Sequence, residues 1–289
     1  MAVTTVYGVL GSPISHSLSP VMHNAAFSAL NLNAAYYAFD VDAKRVEAAI
    51  RGALALGFGG LNLTFPLKEV ALRYCSPDAM AQGIGAVNTI DRTGTGYITD
   101  GIGAVRALEE AGIEAQGTTV LLLGAGGAAK AIAAQLLVKG ARVTIANRTV
   151  SRSLVLARQL TAAHFDCGCG YVEAHDLAQI DRLLPEARVL INATTVGMRG
   201  VVNGQTLVKA SQMHPKLVVF DIVYDPLETP LLREARAAGL QTIDGVKMLV
   251  HQGAASFAMW TNVDPPVQIM EAAAREALRR EKTAKQKDR

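Results

Sequence analysis

Apolar runs alternate with helical stretches along nearly the whole chain. TVYGVLG near the start reads as a strand, and PVMHNAAFSALNL, opened by Ser19-Pro20, spaces its apolar residues as a helix does. AAYYAFDV predicts a strand, DAKRVEAAIRGALALG a helix ending at Gly57, and FGGLNLTF a strand running into a turn. PLKEVALRYC predicts a short helix opened by Pro66, and GAVNTIDRTGTGYITDG two short strands across a Gly- and Thr-rich turn. GIGAVRALEEAG predicts a helix that leads into a second domain. There TTVLLLGAGG is a continuous apolar strand and a glycine turn, followed by the helix AAKAIAAQLLVKG, the strand ARVTIANR and the helix SRSLVLARQLTAA. ARVLINATTVGM, KLVVFDIVY and LQTIDG supply further strands, and helices run from GVKMLVHQGAASFAMWTN through PPVQIMEAAAREALRR. Strands that are apolar throughout, separated by helices, predict a parallel sheet covered on both faces. The predicted fold is therefore α/β in two domains, one over 1–103 and a parallel-sheet domain over 104–245, with a cleft between them. Helices over 246–280 return to the first domain, and 281–289 form a charged tail expected to fray.

Composition narrows the function classes. The chain has 289 residues, half of them apolar, enough for two domains with full cores. Its net charge of +3 is local, because residues 275–289 carry seven basic side chains against three acidic ones and leave the remainder near −1. No basic face for nucleic acid is expected. No apolar run approaches a membrane span, and the strand-like start carries no leader pattern, so the expectation is a cytoplasmic protein that binds no membrane. Cys75, Cys167 and Cys169 make no disulfide framework and are expected as reduced thiols; the six scattered histidines offer no metal spacing.

The glycine turn carries the first chemistry. In GAGGAA over 124–129, Gly124 permits a tight turn, Gly126 lets the backbone approach a pyrophosphate, and Ala129 allows close helix packing. Ala125, Gly127 and Ala128 complete a loop at a helix N-terminus, where free N–H groups favour phosphate. At the end of the next strand an NAD site usually places a carboxylate for the ribose hydroxyls. This chain has Asn147, Arg148 and Thr149 there, with Arg152 just beyond. Two guanidinium groups and a hydroxyl suit a 2′-phosphate, so the expected cofactor is NADP.

SHSLSP over 15–20, NLTFPLK over 62–68, GAVNT over 85–89, TDG over 99–101, INATTVGM over 191–198 and DGVKMLVHQGAASFAMW over 244–260 together resemble the shikimate dehydrogenase family, in the same order and across nearly the whole chain. The resemblance implies a substrate domain, a Rossmann-like NADP domain, and NADPH-dependent reduction of 3-dehydroshikimate to shikimate in aromatic amino-acid biosynthesis. It also implies roles for particular residues. Ser17 and Ser19 match positions that hold the substrate carboxylate; Asn62, Thr64, Asn88 and Gln252 match positions that contact its hydroxyls or carboxylate. Lys68 and Asp100 match the catalytic pair. The chemistry agrees: an ammonium at the ketone oxygen stabilises charge and supplies a proton, and a carboxylate beside it orients it. Thr194, Ile222, Tyr224 and Gly245 match places near the ribose or nicotinamide, with Tyr224 also counted among the substrate residues. No metal is implied, and the protein is expected as a monomer or homodimer.

Some positions depart from the family pattern. Ile98 precedes Thr99-Asp100 where the family usually has Asn, Leu63 stands between Asn62 and Thr64 in place of Val, and Thr195-Val196-Gly197-Met198 replaces a Ser-x-Gly-Met. They leave open a paralogue preferring quinate or an aminoshikimate-like acid, or a non-catalytic NADP-binding protein.

Overall fold

The computed structural model describes residues 3–163, 170–201 and 205–287, with 281–287 described by backbone alone. Two compact units emerge: Met1–Thr99 with Val250–Arg289, and Asp100–Leu249.

The first unit begins with β1 (Thr5–Gly11), α1 (Ser19–Ala29), β2 (Ala34–Asp40), α2 (Val46–Ala55) and β3 (Gly60–Leu63). It continues through β4 (Ser76–Pro77), α3 (Ala79–Ile84), β5 (Thr89–Asp91) and β6 (Thr95–Tyr97). These strands form one mixed sheet in the order β2-β1-β3-β5-β6-β4. β1 pairs in parallel with both β2 and β3, because helical crossovers join them, whereas β5 and β6 run as an antiparallel hairpin beside β3. Tyr7, Met22, Phe27, Tyr36, Ile50, Leu61 and Leu63 fill the core. Gly60 opens β3 where a Cβ would strike the Trp260 indole; with no side chain there, Trp260 lies close and its Nε1 donates to the Ile90 carbonyl at 3.1 Å.

The second unit runs α4 (Asp100–Glu110), β7 (Thr119–Leu123), α5 (Gly127–Val138), β8 (Arg142–Asn147), α6 (Val150–Ala162) and β9 (Tyr171–Asp176). Then come α7 (Ile180–Leu183), β10 (Val189–Asn192), β11 (Val218–Asp221), α8 (Pro230–Ala237) and β12 (Gln241–Ile243). All six strands pair in parallel, in the order β12-β11-β10-β7-β8-β9. The order reverses between β7 and β10, and in such sheets ligands bind at that switch point, beyond the carboxyl ends of the strands. β10 and β11 are buried along their whole length, as expected for a sheet covered on both faces. Helix α4 packs closely on α5, since a Cβ at Gly101 would meet the Ala131 carbonyl.

α9 (Gly245–Thr261) gives its first turn to the second unit and the rest to the first, and α10 (Val267–Lys287) follows it and packs on α1. Several expectations change. The segment after Pro66 is no α-helix: it turns through Lys68 and forms a 3-10 helix over Val70–Tyr74. Backbone helix continues to Lys287, into the segment expected as a charged tail. β9, α7 and α8 were absent from the pattern reading. Among the described residues no helix is long and apolar enough to cross a membrane, and no side-chain group could hold a metal ion. Cys75 is a free, half-buried thiol that burial pushes up to about 11, whereas Cys167 and Cys169 lie outside the described residues.

Candidate active site

In the first unit, residues singled out by sequence sit on one buried hydrogen-bond network. Asn62 on β3 is 5% exposed. Its Oδ1 accepts from the Tyr36 hydroxyl at 2.7 Å, and its Nδ2 lies within 3.1 Å of the Asn88 carbonyl, Thr89 Oγ1 and Ser256 Oγ. Ser19 lies beside the Tyr36 hydroxyl. Ser19 in turn donates its backbone N–H to Ser17 Oγ at 3.3 Å. Neither serine caps α1, whose N-cap is Leu18 with no side-chain bond.

On the far side of Asn62, Thr89 and Ser256 share a hydroxyl contact of 2.8 Å. Asn88 takes the Thr99 N–H on Oδ1 at 2.7 Å, and its Nδ2 donates to Thr99 Oγ1 at 3.0 Å and Gln252 Oε1 at 3.3 Å. Asn62, Asn88 and Gln252 are thus linked through Thr89, Thr99 and Ser256, with Tyr36 bonded to Asn62 and Ser19 beside it. Alternation of β-strand side chains and a helical turn of α9 bring these hydroxyls and amides to one place.

Thr64 and Lys68 occupy the loop after β3. Thr64 donates its N–H to Leu10 at 2.9 Å, and it can come so near because Gly11 has no Cβ to meet its methyl group. The Lys68 carbonyl accepts from Val87 N–H at 2.8 Å, which ties its turn to the stretch leading into Asn88. Lys68 is half-buried. Asp100, 6% exposed, is the first residue of α4 and follows Thr99 directly in the chain.

In the second unit the expected cofactor residues gather at the carboxyl ends of parallel strands. Gly124 ends β7 with φ +109°, a left-handed backbone that favours glycine, and its Cα faces the Ala193 carbonyl where a Cβ would crowd. A Cβ at Gly126 or Gly127 would meet nothing within 4 Å, so backbone is open to an approaching ligand there. Gly126 is the N-cap of α5 and supplies no side-chain cap, which leaves the first-turn N–H groups to a ligand anion. Ala125 and Ala128 flank this turn, half-buried.

Asn147 closes β8, and its Nδ2 donates to the Thr149 carbonyl at 3.0 Å, shaping the turn that presents Arg148 and Arg152. Both arginines are exposed, and neither guanidinium meets a carboxylate among the described residues. Thr149, the N-cap of α6, makes no side-chain cap bond. These features fit a pyrophosphate at the α5 N-terminus and a further phosphate beside the arginine pair.

Thr194, Ile222 and Tyr224 follow β10 and β11, and Gly245 opens α9. Asn192 Oδ1 accepts from Thr194 N–H at 3.1 Å and from Thr194 Oγ1 at 2.7 Å. A Cβ at Gly245 would collide with the Ile222 carbonyl, so the glycine lets α9 start against that loop. Asp221, wholly buried at the end of β11, accepts from Asn192, Val223 N–H and Thr229, yet burial raises its carboxyl to about 6.

Pattern reading passed over Tyr36, Thr89, Thr99, Ser256, Asn192, Asp221 and Thr229 as functional support. The Asp that ends the apolar run VVFD was a usable signal, because a buried carboxylate needs partners. Tyr36 and Ser256 gave none, being ordinary members of a strand and a helix.

Known proteins match this arrangement from end to end. The shikimate dehydrogenase substrate binding domain matches residues 9–90, shikimate / quinate 5-dehydrogenase matches 106–248, and the shikimate 5′-dehydrogenase C-terminal domain matches 245–275. A shikimate dehydrogenase (NADP(+)) of Methanosarcina barkeri is 51% identical over 279 residues, covering 94% of this chain and 98% of that protein. The crystal structure of a shikimate dehydrogenase in complex with NADP+ superposes with a TM-score of 0.87 at 41% identity, over 95% of this chain and 96% of that one. One from Thermus thermophilus, in complex with NADP(H) and shikimate, gives 0.83 at 38% identity, over 95% and 100%. With substrate-type unit, nucleotide-type unit and closing helices all matched in one continuous protein, the chain belongs to the shikimate dehydrogenase family.

Proposed function

We propose that this chain catalyses the reversible NADPH-dependent reduction of 3-dehydroshikimate to shikimate, a step toward the aromatic amino acids. One observation carries the reading: a shikimate dehydrogenase (NADP(+)) matches 94% of the chain and 98% of its own length, so both units are accounted for together. Ser17 and Ser19, adjacent through their hydrogen bond, offer hydroxyls to the substrate carboxylate. Asn62, Thr64, Asn88 and Gln252 take the ring hydroxyls or carboxylate, with Asn62 and Asn88 held in the buried network. Gly124, Ala125, Gly126, Gly127 and Ala128 receive the cofactor pyrophosphate. Asn147, Arg148, Thr149 and Arg152 take the 2′-phosphate; Thr194, Ile222, Tyr224 and Gly245 border the nicotinamide end.

Bound NADPH supplies the hydride that reduces the ketone carbon. As charge gathers on the ketone oxygen, the Lys68 ammonium stabilises it and gives up a proton to complete the hydroxyl. Asp100 orients the ammonium and shares the acid–base work. In the oxidative direction the pair takes the proton back.

Steady-state oxidation of shikimate and of quinate, each with NADP and with NAD, tests the reading at the nicotinamide absorbance. Fastest turnover is expected for shikimate with NADP. A preference for quinate would move the substrate assignment while keeping the cofactor; a preference for NAD would overturn the role given to Arg148 and Arg152.

A further inference from the structure

Thr194, Ile222 and Tyr224 sit on two loops that leave adjacent strands, and one buried carboxylate fastens those loops together. Asp221 Oδ1 accepts from Asn192 Nδ2 at 2.9 Å and from Val223 N–H at 3.1 Å, and Oδ2 accepts from Thr229 Oγ1 at 2.7 Å. Asn192 passes the restraint on: its Oδ1 takes both donors of Thr194, and its Nδ2 also reaches the Val196 carbonyl at 3.2 Å. Thr194 Oγ1 then accepts from Val196 N–H at 3.1 Å, closing the first loop on itself. Val223, held directly, lies between Ile222 and Tyr224 on the second loop. Farther out, Arg199 ties the same two loops by a guanidinium contact of 2.8 Å to Asp225.

We infer that Asp221 is a positioning residue for the nicotinamide end of the cofactor site, acting through Asn192 on Thr194 and through Val223 on Ile222 and Tyr224. The inference rests on the NADP reading above. The carboxylate touches neither cofactor nor substrate in this role; it fixes the loops that do. Two neighbours donate to Oδ1 and one to Oδ2, so the ionised form satisfies all of them. Burial meanwhile brings the carboxyl up to about 6, close to the working range. Other charges do not explain it. β10 and β12 carry no titratable side chain. On α8, Arg233 is exposed, Glu234 pairs with Lys209 and Arg236 with Glu228. Asp225 is engaged by Arg199, and Asp244 accepts from Val246 N–H. The fastening is therefore made of neutral donors on one buried carboxylate.

The test compares two ligands that share the adenosine 2′-phosphate and the pyrophosphate: NADP, and 2′-phospho-ADP-ribose, which lacks only the nicotinamide. Binding of each to the full chain is followed by calorimetry for wild type and for Asp221→Asn. The substitution should raise the Kd of NADP about tenfold, the scale of a lost hydrogen bond to a charged group, and leave that of 2′-phospho-ADP-ribose within about twofold. Thr229→Val removes the donor to Oδ2 with little change in volume and should shift the preference for NADP over the truncated ligand in the same direction, which tests the inference even if Asp221→Asn folds poorly. Equal weakening of both ligands, or a preference that ignores both substitutions, would overturn it. Failure of the wild type to bind either ligand would overturn the cofactor reading, and the inference with it.

Discussion

Replacing Tyr36 by Phe removes one oxygen atom from the buried network of the first unit and leaves the ring where it is. The ring is wholly buried and stacks on His23 with centroids 4.4 Å apart and planes 6° from parallel, a contact phenylalanine keeps. What disappears is the 2.7 Å donation to Asn62 Oδ1. No other donor reaches that oxygen among the described residues, so a buried carbonyl loses its hydrogen bond, at about 1–3 kcal/mol. The cavity left is only an oxygen's volume and adds little. Chemical denaturation should show the chain less stable by about 1–2 kcal/mol, with a Tm lower by roughly 2–8 °C. The KM for shikimate should rise about fivefold as Asn62 loses its anchor, with the KM for NADP unchanged. Repeating the change in an Asn62→Ala background sharpens the test: there the Tyr36 hydroxyl has itself lost its acceptor, and its removal should be neutral or stabilising. A Tyr36→Phe penalty of the same size in both backgrounds would refute the reasoning, since the loss would then come from ring packing.

Arg148→Ala should raise the KM for NADP about tenfold or more and leave that for NAD nearly unchanged, in steady-state assays whose effect shrinks as salt rises. Asp221 also makes a stability prediction with a definite sign. Its folded carboxyl sits near 6 against an ordinary 3.8, so the folded state holds the proton more tightly and this group's contribution falls as pH rises from about 4 through 6. The drop amounts to about 3 kcal/mol, to order of magnitude. Urea midpoints at pH 4.5 and 7.5 should therefore fall less for Asp221→Asn than for the wild type; identical changes would show that the buried carboxylate costs nothing.

The central strands of the second unit were legible because burial on both faces writes a continuous apolar run: TVLLL, VLIN and VVFD need no tertiary information to be recognised. β9 was not legible for the opposite reason. It is an edge strand whose side chains, Tyr171 foremost at 59% exposure, are only partly covered, so YVEAHD carries no strong period. The stretch after Pro66 misled because Leu67, Val70 and Ala71 fit a 3-10 turn as well as an α-helical one when only a turn or two is present. The glycine turn after β7 and the turn that ends β8 could be read from local spacing. The polar network around Asn62 could not, because its hub Ser256 lies 194 positions away and nothing in GAASFAMW marks one serine as a partner of a distant strand.

A ribosome delivers this fold out of order. Residues 100–249 form one contiguous piece and can complete their sheet as they emerge, but the first 99 residues cannot finish theirs. Trp260, which lies over Gly60, and Ser256, which binds Asn62 and Thr89, leave the tunnel only after the whole second unit has been made. At ~5–20 residues per second the amino-terminal strands wait on the order of ten seconds or more with β3 uncovered and the Asn62 amide short of a partner. Nascent chains stalled before residue 250 should therefore hold a folded nucleotide half behind a protease-sensitive leading segment, and that segment is where a chaperone has most to protect.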